Sequence, residues 1–312
     1  MKIVFMGTPD FSVPSLRKLT EYHHVAAVFT QPDRPKGRGK KISMSPVKEV
    51  AIEKNIPVYQ PQKLKNNHEA FEIIKSYQPD IIVVVAFGQI LPKEILQLPK
   101  YGCVNLHASL LPKYRGAAPI NWSIINGEEE TGNTTMLMAE GLDTGDMLLQ
   151  DVVKLDNNIN AGELHDLLSS RGAELLIATL DGLEANNIVP IPQDEALSSY
   201  VSMLSKEMAN IDWSRTAEEI HNFIRGLNPW PIAYSYYENQ MLKIYESEVI
   251  SHSRTEKPGT IIEVSKNGIK IACGVGAVLI KRIQFPNSKP MYVKDYLNGN
   301  DIKIKTLLGK ER

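Results

Sequence analysis

Between Lys2 and Gly182, short apolar runs alternate with helix-patterned stretches, and that rhythm leaves few folds open. The runs Lys2–Met6, Val25–Phe29, Ile81–Ala86, Cys103–His107 and Thr134–Met138 read as strands. Helical patterns lie at Ser12–Tyr22, from Ser45-Pro46 (a cap followed by proline at the first helical position) to about Asn55, and from Ala161 to Gly182. Strands that alternate with helices build a mainly parallel sheet covered on both faces. Ile81–Ala86 is apolar at every position, as a central strand of such a sheet must be.

The pattern then changes. Val189–Ser205 carries prolines and serines with no period and reads as a linker. Thr216 and Glu219 form a capping box for a helix that ends near Gly226. Beyond Pro231, the segments Ala233–Tyr237, Leu242–Ser247, Thr260–Val264, Gly268–Ala272 and Val278–Ile283 are separated by turn residues such as Lys266-Asn267-Gly268. Repeated short strands of this kind make a small barrel or sandwich. The expected organisation is an α/β domain over 1–189, a linker over 190–207 and a smaller β domain over 208–312.

Composition narrows the class rather than the function. With 43% hydrophobic and 23% charged residues, the chain is globular rather than disordered. Net charge is −1, but it is unevenly spread. From residue 206 onward there are 16 Lys/Arg against 12 Asp/Glu, whereas the first 205 residues hold 19 against 24. A mildly basic second half can meet phosphates, although so small a surplus is weak grounds by itself. Cys103 and Cys273 stand far apart without CxxC spacing, so neither a disulfide framework nor a zinc site is expected. The opening MKIVFMGTPDF lacks the long apolar core of a secretory signal, which makes a reducing cytoplasm the simplest compartment.

Ligands of open parallel sheets bind outside the carboxyl ends of the strands. Asn105 and His107 stand at such an end, two residues apart and therefore on one face. The loop after Thr134–Met138 supplies Asp143 between Gly141 and Gly145. Together these groups offer an amide donor for a developing oxyanion, an imidazole that exchanges protons near neutrality, and a carboxylate to orient that ring. No Ser or Cys nucleophile accompanies the histidine, which favours direct transfer between two substrates over a covalent acyl-enzyme. Whether His107 acts chiefly as base or as oxyanion donor stays open at this level.

Gly7-Thr8-Pro9-Asp10 occupies the place of a phosphate loop but matches neither GxGxxG nor GxxxxGK[ST], and Pro9 interrupts the array of N–H donors. A nicotinamide cofactor is therefore not expected. Residues 31–48 carry six Lys/Arg against one Asp, with glycines at 37 and 39. That segment is either a solvated loop or a grip for a phosphate backbone.

The segments MKIVFMGTPDFSVPSL, TQPDRPKGRGKK, VVVAFGQILP, NLHASLLPKYRGAAPINW, GLDTGDML and NIDWSRTAEEIHNFIRGLNPWP, in this order, resemble the folate-dependent formyltransferases. The basic loop and the second domain resemble the branch that acts on methionyl-tRNA, and the likeness runs essentially end to end. It implies a Rossmann-like formyltransferase domain followed by a barrel of OB-fold type. It further implies 10-formyltetrahydrofolate as formyl donor, initiator methionyl-tRNA as acceptor, and no metal or obligate protein partner. Asn105, His107 and Asp143 would be the catalytic set. Folate would lie against Ser109, Leu110, Leu111 and Pro112, with the strand end Phe87, Gly88, Gln89 and Ile90 lining the pterin pocket. Lys36, Arg38, Lys40 and Lys41 would meet the tRNA. The rival within this resemblance is a formyltransferase acting on a sugar nucleotide or a purine precursor, which would need neither the basic loop nor the second domain.

Overall fold

The computed structural model describes residues 1–36, 41–253 and 256–309. They form two compact units, one made of Met1–Gly116, Thr131–Val153 and His165–Tyr200, the other of Ala117–Glu130, Lys154–Leu164 and Val201–Arg312.

A seven-stranded sheet organises the first unit: β1 (Lys2–Gly7), β2 (His24–Phe29), β3 (Val58–Tyr59), β4 (Ile81–Val85), β5 (Cys103–His107), β6 (Glu130–Leu137) and β7 (Met147–Lys154). Their order is β7-β6-β5-β4-β1-β2-β3. Pairings β1/β2, β1/β4, β2/β3 and β4/β5 are parallel, and β5/β6 is antiparallel. Every residue of β4 is buried, which is why its run is apolar on both faces. The order reverses between β1 and β4. A parallel sheet opens a crevice at such a switch point, beyond the strands' carboxyl ends. There Ser12 Oγ donates to the Val85 carbonyl at 2.6 Å, satisfying a group the ladder leaves over. Val4, Met6, Phe29, Ile82, Val84 and Phe87 pack into one core layer.

Helices cover the sheet where the pattern placed them. Val13–Tyr22 follows a short 3-10 turn, Asp10–Ser12. Helix Pro46–Glu53 starts under Ser45, whose Oγ accepts from the Lys48 N–H. The long helix runs Ala161–Glu184. Two sequence expectations shift. Strand β6 begins at Glu130 rather than Thr134: Thr131 and Asn133 ahead of that point are buried despite being polar, and Asn133 Nδ2 donates to the Leu168 carbonyl. The residues Phe87–Ile90 are a turn beyond β4 and not part of that strand, with Ala86 and Gly88 at positive φ.

The second unit holds an antiparallel sheet. Its strands are β8 (Ala233–Tyr237), β9 (Gln240–Ile250), β10 (Ile261–Ser265), β11 (Gly268–Ala272), β12 (Ala277–Gln284) and β13 (Met291–Tyr292). The main path runs β8-β9-β12-β11-β10, with β13 beside β12. Residues 305–309 join its two edges. Gly309 N–H donates to the Tyr236 carbonyl of β8, while Ile261 of β10 exchanges bonds with Thr306 and Lys305. The sheet is thereby a closed barrel. Its interior holds Leu242, Ile244, Ile261, Ile269, Ile271, Val278, Ile280 and Ile283. Helix Ala217–Gly226 lays Ile220 and Ile224 on that core, and its capping box forms as its sequence requires.

Candidate active site

Strand β5 is buried throughout and carries Asn105 and His107 on one face. The His107 Nε2–H donates to the Tyr114 carbonyl at 2.9 Å, since a carbonyl can only accept. That bond assigns the tautomer and turns Nδ1 toward Asp143, whose Oδ2 lies 3.7 Å away. The same Oδ2 accepts the Gly116 N–H at 2.9 Å. Asn105 is 9% exposed, and no described residue hydrogen-bonds its side-chain amide. Its amide is not among the sealed polar atoms that lack a partner, so it keeps an accessible face that a ligand can meet.

The loop that brings Asp143 here is tightly specified. Asp143 itself adopts φ 53°, the left-handed region that Asp tolerates better than most residues. Gly145 is buried, and a Cβ there would run into the Leu137 carbonyl, so only glycine fits. Asp143, predicted from a distant loop, therefore comes within reach of His107.

The turn after β5 is equally fixed. Thr134 Oγ1 donates to the Ser109 carbonyl at 2.7 Å and accepts from the Leu111 N–H at 3.1 Å. Gln150 Nε2 donates to the Leu111 carbonyl at 2.9 Å. Ser109 Oγ donates to the Lys113 carbonyl at 2.7 Å. Ser109 and Leu111 are thus buried in the scaffold, while Leu110 and Pro112 stay partly accessible. In the turn beyond β4, Phe87 is buried and Ile90 is exposed. Gln89 is committed elsewhere: its Oε1 accepts from the Leu64 N–H and its Nε2 donates to the Pro61 carbonyl.

Of the basic loop, Arg38 and Lys40 lie outside the described residues. Lys36 and Lys41 pair across a short hairpin, Arg34–Lys36 with Lys41–Ser43.

Several residues at the site escaped sequence reasoning. Arg115, on the turn after β5, is wholly buried. Its guanidinium donates to Gln193 Oε1 at 3.0 Å, to both Glu195 oxygens at 3.0 and 2.8 Å, and to the Tyr200 hydroxyl at 2.9 Å. Arg115 in turn holds the Glu195 carboxyl below the usual carboxylate range. Ser199 Oγ accepts from the Tyr114 N–H at 2.8 Å. All four of these partners come from the segment read as a linker. The signal available was Arg115 itself, a charge beside an apolar strand that needs acidic or polar company when buried.

Comparison with known proteins gives the family. Residues 1–180 match the formyl transferase family model, and residues 203–301 match the model for the formyl transferase C-terminal domain. The chain belongs to the formyltransferase family. The methionyl-tRNA formyltransferase of Clostridium novyi is 58% identical over 99% of this chain and all of its own length. That of Clostridium perfringens is 59% identical with the same coverage. The fold of this formyltransferase is also that of an N-formyltransferase from Helicobacter canadensis solved with folinic acid and dTDP-3-aminofucose. The two share a TM-score of 0.69 and 23% identity over 90% of this chain and 98% of the other. Among the described residues no helix is long and apolar enough to cross a membrane, and no group of three His, Cys, Asp or Glu could hold a metal ion.

Proposed function

We infer that this formyltransferase moves the formyl group of 10-formyltetrahydrofolate onto the α-amino group of methionyl initiator tRNA, giving N-formylmethionyl-tRNA for translation initiation. One geometric observation carries the chemistry: an unpartnered amide, Asn105, shares a strand face with a histidine whose free Nδ1 stands 3.7 Å from a carboxylate. The acceptor rests on the end-to-end likeness to methionyl-tRNA formyltransferases.

The folate donor supplies an electrophilic formyl carbon on nitrogen. Asn105 offers its N–H to the oxygen where negative charge develops as the amine attacks. His107 stands ready to take or give a proton at Nδ1, its other nitrogen being tied to the Tyr114 carbonyl. Asp143, 3.7 Å from Nδ1, fixes the ring's direction. The turn Ala86–Ile90 fits a flat heterocycle: Ala86, Gly88 and Ile90 are exposed beside a buried Phe87, so ring faces meet backbone and apolar surface. Gln89 contributes there by holding the turn, its amide being already engaged. Leu110 and Pro112 offer the accessible side of the neighbouring turn.

Lys36, Arg38, Lys40 and Lys41 are four cations within six residues of sequence, a charge density suited to a phosphate backbone. A formylation assay with charged tRNA tests the whole reading. Transfer to methionyl-tRNA, with affinity that falls as salt rises, is the expected result. Transfer to free methionine equally well by the wild type and Arg38→Ala would remove the loop from RNA recognition. Absence of any transfer to methionyl-tRNA would refute the assignment.

A further inference from the structure

Gln193 lies outside both the catalytic strand and the Asp143 loop, yet its amide touches the turn after β5 and that loop at once. Its Nε2 donates to the Asp143 carbonyl at 2.8 Å and to the Gly145 carbonyl at 2.7 Å. Its Oε1 accepts from Arg115 Nε at 3.0 Å. An uncharged amide alone can do this: two N–H donors meet two carbonyls on one side, and one oxygen meets a guanidinium on the other.

The placement matters because of what Asp143 requires. Its backbone sits at φ 53°, a conformation that persists only where surrounding contacts over-determine it. Gln193 binds the carbonyl of that very residue. Gly116 N–H, next in sequence to Arg115, holds the Asp143 carboxylate at 2.9 Å. Tyr114, on the other side of Arg115, supplies the carbonyl that orients His107. The two partners of the His107–Asp143 pair are therefore each fixed from the Tyr114–Gly116 stretch, and Gln193 ties that stretch to the Asp143 loop.

We propose that Gln193 is a positioning residue for formyl transfer, locking Asp143 against His107 by joining the Asp143–Gly145 carbonyls to Arg115. The proposal rests on the reading of the site given above. It acts through Asp143, and this makes it separable from simple loop stability.

The test is a double-mutant cycle in the full chain, read by steady-state formylation of methionyl-tRNA. Gln193→Met keeps length and volume without polar atoms. Gln193→Glu keeps the acceptor for Arg115 and replaces the two donors with a carboxylate oxygen facing carbonyls; it serves if the Met variant fails to fold. Each change is expected to lower kcat on the order of 10²-fold, as a misplaced group does, with KM for methionyl-tRNA little altered. In an Asp143→Ala background the same changes should add no further loss, because the group they position is gone. Losses that multiply across the two positions would overturn the proposal, and so would wild-type turnover in both Gln193 variants. Wild-type turnover in Asp143→Ala alone would instead overturn the site reading beneath it.

Discussion

Asp143 and His107, 36 positions apart in sequence, stand 3.7 Å apart through Oδ2 and Nδ1, and each is held there by backbone of the same turn. At that separation the pair is an orienting contact rather than a tight hydrogen bond. Substrate-induced tightening is a common property of such sites.

Asn105 is expected to act on the reaction and not on the fold. Its amide has no partner among the described residues, so Asn105→Ala breaks no bond within the protein. Loss of one oxyanion donor costs on the order of 10²–10³ in kcat. Steady-state kinetics beside a folate titration check this; unchanged kcat would take Asn105 out of the chemistry.

Gly145→Ala should damage both stability and activity. The added methyl meets the Leu137 carbonyl, which belongs to the sheet and cannot retreat. Overpacking of this kind costs about 1–3 kcal/mol, and the shift passes directly to Asp143. Urea unfolding and turnover of the variant measure the two effects. A variant as stable and active as the parent would show that the loop has slack.

The barrel unit is expected to weaken in mild acid through His221. Its Nε2–H donates to the Asn157 carbonyl at 2.8 Å, and Nδ1 accepts from Ser247 Oγ at 3.0 Å, so the neutral ring is satisfied on both sides. Burial lowers its pKa from the ordinary value of about 6.5. Below that value the unfolded chain binds a proton that the folded ring resists. Stability therefore falls as pH drops through about 6.5 and levels off only below the folded-state pKa. Thermal melts at neutral pH and in mild acid should show the loss, and His221→Gln should flatten the dependence.

Neither thiol should react in the folded protein. Cys103 and Cys273 are buried, and burial pushes both up to about 12. Alkylation at mildly alkaline pH is expected to leave activity intact and to modify both only after unfolding. Rapid modification of either in the native state would contradict the packing described.

Much of this was written locally in the sequence. Cys103–His107 is a strand with the boundaries its apolar run gives, and the Thr216–Glu219 box opens its helix, because short-range patterns decide both. The closeness of Asp143 to His107 was inferable from the rule for strand ends, without its distance. What stayed hidden depends on partners remote in sequence. Buried Asn133, ahead of the expected start of β6, reads as polar until the Leu168 carbonyl is known to face it. Gln193, Glu195 and Ser199 look like linker residues because nothing near them in sequence reveals Arg115 and Tyr114. The joining of the barrel's edges is hidden for the same reason, since residues 305–309 carry no strand-like alternation.

That last strip sets a timetable. Ribosomes make a chain from its amino end, so residues 305–309 emerge after every strand they link. Until they arrive, the outer edge of Ala233–Tyr237 is met only by the Ile211 N–H at the Tyr234 carbonyl, and Ile261–Ser265 presents a bare edge, the kind of template on which nascent chains stick to one another. The second unit can be sealed only late in its own synthesis, and the crowded interval just before is when it is most in need of dilution or a chaperone.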